Sequence, residues 1–112
     1  MQLSPYLNFN GQCEAAFKFY EKCLGGKIEA MFPHAGTPME RHVPPAWRDK
    51  IMHARLVVDG MALMGSDVPP DSYGPSQNFA VSLLAKKPAE AERVFAALSE
   101  DGRVSMAIQQ TF

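Results

Sequence analysis

The chain has 112 residues, 46% of them hydrophobic, which is enough for one domain with one core and too little for two. Its 11 Lys and Arg against 12 Asp and Glu leave a net charge of -1, and the basic residues are scattered, so no field attracts nucleic acid or an anionic membrane. No apolar run approaches the roughly 20 residues that cross a bilayer, and the first five residues are not a signal peptide, so a soluble cytoplasmic protein is expected.

Leu3 to Phe9 alternates as a strand, with Leu3, Pro5, Leu7 and Phe9 on one side and Ser4, Tyr6 and Asn8 on the other. Asn10-Gly11 ends it, and Asn10 is placed to cap a helix. From Gln12 to Leu24, Cys13, Ala16, Phe17, Tyr20 and Leu24 recur at helical spacing, with Glu14, Lys18, Glu21 and Lys22 opposite. Cys13 and Cys23, ten residues apart on this helix, lie about 15 Å apart along its axis and cannot form a disulfide. Both read as small buried hydrophobes. Gly25-Gly26 supplies a left-handed helix end, and Lys27 to Phe32 is the next strand.

Residues 33–49 are rich in Pro and small residues and form a long loop, with a short helical turn at Pro45 to Trp47. Ile51 to Val58 and Met61 to Ser66, joined by Asp59-Gly60, make a hairpin with a type I′ turn. Residues 68–78, with Pro69, Pro70, Gly74 and Pro75, form a linker. Phe79 to Leu84 is then a strand, Pro88 opens a helix with Ala91, Val94, Phe95 and Leu98 as its stripe, and Arg103 to Ile108 is a strand. Thr111-Phe112 hints at one more.

The two halves repeat each other. A shift of 76 residues sets Glu14, Ala15, Phe19 and Gly26 on Glu90, Ala91, Phe95 and Gly102, and the strand and helix patterns on either side agree. The expected fold is one α+β domain over 1–112, made of tandem βαβββ modules: a first module at 1–67, the linker at 68–78, and a second at 79–112 that lacks its last strands.

A tandem βαβββ repeat resembles the vicinal oxygen chelate superfamily, which includes glyoxalase I, fosfomycin and bleomycin resistance proteins and extradiol dioxygenases. Pro5-Tyr6-Leu7-Asn8-Phe9-Asn10-Gly11, Ala16-Phe17-Lys18-Phe19-Tyr20, Leu24-Gly25-Gly26, Pro44-Pro45-Ala46-Trp47, Ile51-Met52-His53-Ala54-Arg55-Leu56 and Leu63-Met64-Gly65-Ser66-Asp67 are similar to the PhnB-like family within it. That family often carries the label 3-demethylubiquinone-9 3-methyltransferase. The sequence gives the label no support, because Asn10-Gly11-Gln12 and Gly25-Gly26 are a helix start and a helix end, not a methyl-donor loop.

The resemblance places metal-ligand positions near Ser4 or Tyr6, near Asn78 and between Met61 and Ser66, none of which is His or a carboxylate. No metal or other cofactor is therefore expected. On the third strand, Met52, Ala54, Leu56 and Val58 pack under the helices, so His53 and Arg55 look into a concave cavity. There His53 is the candidate acid or base, against the alternative of a residue bonded to backbone or to a dimer contact. Tyr6, Asn8, Trp47, His53, Arg55, Asn78 and Ser82 form the expected ligand-binding set, with Trp47 either a lid or a cover for a sheet edge. His34 and His42 read as solvated. Asp67 reads as a turn residue, with a cavity-facing role as the alternative. The expected partners are a small organic ligand and a second copy of the chain, with no nucleic acid and no membrane. The runner-up is a metal-dependent lyase, isomerase or dioxygenase completed by residues beyond this sequence.

Overall fold

In the computed structural model, which describes residues 1–109, the apolar stripe recurring every three or four residues winds Cys13–Leu24 into helix α1. Gly25 ends the helix in the left-handed conformation at φ 75°, donating its N–H to Glu21 O. Around α1 lie β1 (Tyr6–Phe9), β2 (Lys27–Pro33), β3 (Ile51–Val58) and β4 (Met61–Asp67). They form one sheet in the order β1-β4-β3-β2. β1 runs parallel to β4, and the other two pairings are antiparallel. Asp59 (φ 49°) and Gly60 (φ 79°) turn the β3–β4 hairpin with both residues at positive φ, as the sequence predicts. The first strand is shorter than expected, because Leu3 is fully exposed and pairing with β4 begins only where Pro5 O accepts from Met64 N.

The chain divides into two compact units, Met1–Phe79 and Ala80–Phe112. In the first, Cys13, Phe17, Ile51, Ala54 and Leu56 form a buried core under α1, flanked by Phe9, Tyr20, Ile28, Met31, Val58 and Leu63. Helix and sheet meet closely at Gly65. A Cβ there would lie 2.8 Å from the Phe17 ring and 2.9 Å from Leu7 O.

In the second unit Pro88–Ser99 forms helix α2, with Pro in its first turn. The strands expected at Phe79–Leu84 and Arg103–Ile108 are not formed among the described residues. The first unit supplies the reason. Its equivalent strands, β1 and β2, lie at opposite ends of the sheet and bond only to β4 and β3, never to each other. The second copy has no β3 and β4 counterparts among the described residues, so an extended segment there has no ladder to join. Val81, Leu83, Val104, Met106 and Ile108 accordingly stay exposed. The strand hinted at by Thr111-Phe112 lies outside the described residues.

Burial controls one titration in the core. Cys13 has no exposed surface, and its thiol is pushed from 9.0 up to about 12, by burial first and then by the Asp67 and Glu14 carboxylates. The unfolded thiol ionises near pH 9 while the folded one keeps its proton to about 12. Stability from this group is thus complete below pH 9 and is lost as pH rises toward 12, by at most about 1.4 kcal/mol per pH unit. Tyr20, raised by burial and then by the charge of Cys13, acts in the same direction. Urea midpoints measured at pH 7 and pH 10.5 should therefore fall less for Cys13→Ala than for the parent protein. Identical losses would show that the thiol does not titrate this way.

Candidate functional site

The period-2 alternation of β3 sends Ala54 and Leu56 into the core with no exposed surface, which turns His53, Arg55 and Val57 to the opposite, open face. β1 alternates in the same sense: Leu7 and Phe9 are half-buried, while Tyr6 and Asn8 are exposed. Register then assembles the face. His53 pairs with Phe32 on β2, Arg55 with Met64 on β4, and Tyr6 also with Met64. Tyr6 reaches over β4, bringing its Oη to 3.2 Å from His53 Nδ1. The imidazole is flanked on both sides, with ring centroids 5.9 Å away at Tyr6 and 5.8 Å away at Phe32.

A register shift between Ile28 and Ala30 inserts an extra residue into β2, a bulge that re-aims side chains. It sets the Glu29 carboxylate 3.5 Å from Arg55 Nε, in an ion pair open to solvent. The open face thus holds three rings, a guanidinium, a carboxylate and Asn8, beside the buried hydroxyl of Ser66, which pairs with Asn8 in register.

The other expected site residues sit elsewhere. Trp47, in the short helical turn Pro45–Trp47, packs its ring where a Cβ on Gly11 would lie, at 3.5 Å. It covers the β1–α1 turn, and its buried indole N–H has no acceptor among the described residues. Asn78 is exposed with φ 66°, near the end of the first unit. Ser82 is exposed in the second unit.

Two residues differ from their sequence reading. His34 is buried, not solvated, and its Nδ1 lies 2.9 Å from Lys50 O, tying the long loop to the residue before β3. Asp67 is neither a turn residue nor part of the open face. Its Oδ1 accepts from Gly11 N (2.9 Å) and Cys13 N (3.0 Å), and its Oδ2 accepts from Ile51 N (2.9 Å). It does the capping that the sequence reading gave to Asn10, because α1 has no side-chain cap from its own N-terminal residue, Gln12. A carboxylate from the end of β4 thereby fixes the start of α1 and the start of β3, two residues before His53.

On the helix side, an open cleft of 470 Å³ lies between Glu14, Lys18 and Glu21 of α1 and Ile28 and Met31 of β2. It shares no residue with the open face. Two of its carboxylates are engaged, Glu21 with Ile28 N and Glu14 with Lys18, which holds the Glu14 carboxyl below the usual range.

A resident transition metal needs three or more imidazole, thiolate or carboxylate donors converging on one point. No such group of His, Cys, Asp and Glu occurs among the described residues. The open face offers His53 and Glu29, and Glu29 is turned to Arg55. Among the described residues these donors do not make up a metal-ligand set.

Comparison with known proteins gives the same architecture. The family model for the Glyoxalase/Bleomycin resistance protein/Dioxygenase superfamily matches residues 2–112. The chain is 29% identical to Protein YjdN of Escherichia coli over 120 residues, spanning 100% of this chain and 82% of that protein. Among solved structures it is similar to protein PA1353 from Pseudomonas aeruginosa, with 47% identity and a TM-score of 0.88 over 99% of this chain and 81% of the other. It shares its fold with a PhnB protein from Bacillus cereus, at 20% identity and a TM-score of 0.66, covering 96% and 80% of the two chains. Among the described residues no helix is long and apolar enough to cross a membrane.

Proposed function

The chain belongs to the glyoxalase/bleomycin resistance protein/dioxygenase superfamily, and on that premise we propose that it binds a small organic ligand on the open face of its sheet, against His53, without a resident metal. The observation that carries this reading is the Tyr6–His53–Phe32 arrangement. Tyr6 is 45% and Phe32 38% exposed, yet the imidazole between them is held by a hydrogen bond and by two ring contacts. Aromatic surface left open around an oriented polar group is the usual composition of a ligand site. His53, held by Tyr6 and flanked by two rings, is also the candidate acid or base of any reaction at the site. Arg55, Asn8 and Tyr6 complete the polar contacts. The mode is sequestration, as in metal-free resistance proteins, rather than methyl transfer.

A thermal-shift screen of small aromatic compounds, with elemental analysis of the same purified protein, tests this. Hits on metal-free protein are expected, because a ligand that binds only the folded state raises its melting temperature. Stoichiometric zinc, iron, manganese or nickel would instead favour the metal-dependent lyase, isomerase or dioxygenase.

We also propose that the protein works as a cytoplasmic homodimer. Cys13, buried and outside any disulfide, suits a reducing compartment. β1 and β2 are the edge strands of their sheet, and edges of this kind are normally paired or covered. Sedimentation at the dimer mass is expected, and a monomer at all concentrations would refute the assembly.

A further inference from the structure

We infer that the ligand of the open face is an aromatic carboxylate, its ring lying against Tyr6 and Phe32 and its carboxylate received by His53 and Arg55. The inference rests on the reading of this face as a ligand site and names the chemistry it selects.

The donors come first. Tyr6 Oη and His53 Nδ1 share one proton-bearing contact at 3.2 Å. With the phenol donating to Nδ1, the neutral imidazole carries its own proton on Nε2, away from Tyr6. His53 then presents an N–H to the ligand. Arg55 lies two residues further along β3, on the same face and about 7 Å away along the strand, with its Nη donors beyond the Nε that meets Glu29. That pair is open to solvent, with the side chains 35% and 50% exposed, and it meets at 3.5 Å through a single nitrogen. Such a pair contributes little, so the guanidinium can turn its forked edge to a second carboxylate at small loss.

The charges on the face decide the sign. By register they are Arg55, Glu29 and Lys27, which pairs with Val57, and Glu29 already meets Arg55. A cation placed against His53 meets the like charge of Arg55, while an anion gains both donors. The body of the ligand is set by the rings. Tyr6 and Phe32 stand on opposite sides of His53, with Met64 between β1 and β3 as an adaptable floor. A flat aromatic ring meets this surface over more area than a puckered ring of the same size.

The test uses the intact protein and three probes: benzoate, benzamide (the ring without the charge) and cyclohexanecarboxylate (the charge without the aromatic ring). Binding is followed by long-range nitrogen–proton NMR of the His53 imidazole. The expected results are an Nε2–H tautomer in the free protein, a His53 shift on adding benzoate, and affinity for benzoate at least about ten-fold above either control. Arg55→Gln should keep the fold and lose the preference for benzoate over benzamide. Equal affinity for either control, or an Nδ1–H tautomer, overturns the inference. A broad screen separates this failure from that of the underlying reading. A compound of another class that shifts His53 overturns the carboxylate inference and leaves the ligand site standing, whereas no compound shifting His53 overturns both.

Discussion

Asp67→Ala should destabilise the protein by about 3–5 kcal/mol, the largest effect of any single polar substitution in this structure. The carboxylate has 2% exposure and accepts three backbone N–H groups, from Gly11, Cys13 and Ile51. Removing it leaves three donors without acceptors at the start of a helix and the start of a central strand. Hydrogen bonds to a charged acceptor contribute about 1.5–3 kcal/mol each, and coupling among three that share one carboxylate keeps the total below their sum. Asp67→Asn separates charge from shape. If the amide oxygen faces Gly11 and Cys13, the amide NH2 is left against Ile51 N–H, so an intermediate loss of about 1–3 kcal/mol is expected. Urea denaturation of the three proteins measures the series, and an Asp67→Ala loss under about 1 kcal/mol would show that the carboxylate is not the tie described.

Phe17→Ala should lose a similar amount, about 3–5 kcal/mol, for a reason of packing. The ring is fully buried and contacts Phe9 edge-on at 6.0 Å and Tyr20 at 5.9 Å. It lies over Gly65, the one β4 position where a Cβ would intrude on it. The cavity cannot be filled by backbone collapse, because the Asp67 contacts hold the N-terminus of α1 in place. Gly65→Ala presses from the other side and should cost about 1–3 kcal/mol. Joining Phe17→Leu to Gly65→Ala relieves the ring clash but not the contact with Leu7 O, so the pair should recover part of the Gly65→Ala loss and not all of it. Full additivity would show that the two positions do not meet.

What the sequence made legible is what short range decides. The stripe of α1, the Gly25 helix end and the Asp59-Gly60 hairpin all depend on neighbours within a few residues, and all appear as read. The alternation of β3 placed His53 and Arg55 on the face away from Ala54 and Leu56. The link from Tyr6 to His53 was not legible, because it crosses β4 between residues 47 apart in the chain. Nor was the role of Asp67, whose partners Gly11 and Cys13 lie 56 and 54 residues away. The bulge in β2 that brings Glu29 to Arg55 carries no glycine to mark it. His34 reads as a loop histidine until the Lys50 carbonyl that binds it is in view. Phe79–Leu84 and Arg103–Ile108 show the converse: alternation marks a segment able to be a strand, and only a hydrogen-bonding neighbour makes it one.

We propose that the ligand meets His53 between Tyr6 and Phe32, and the most direct measurement of this is the affinity of the strongest hit from the thermal-shift screen for the parent protein and for His53→Ala, once circular dichroism shows the variant folded. Half-buried and on the face away from the core, His53 can be truncated without opening the Phe17–Leu56 cluster. A loss of about ten-fold or more in affinity is expected, and a folded His53→Ala that binds the hit as tightly as the parent would place the ligand away from His53.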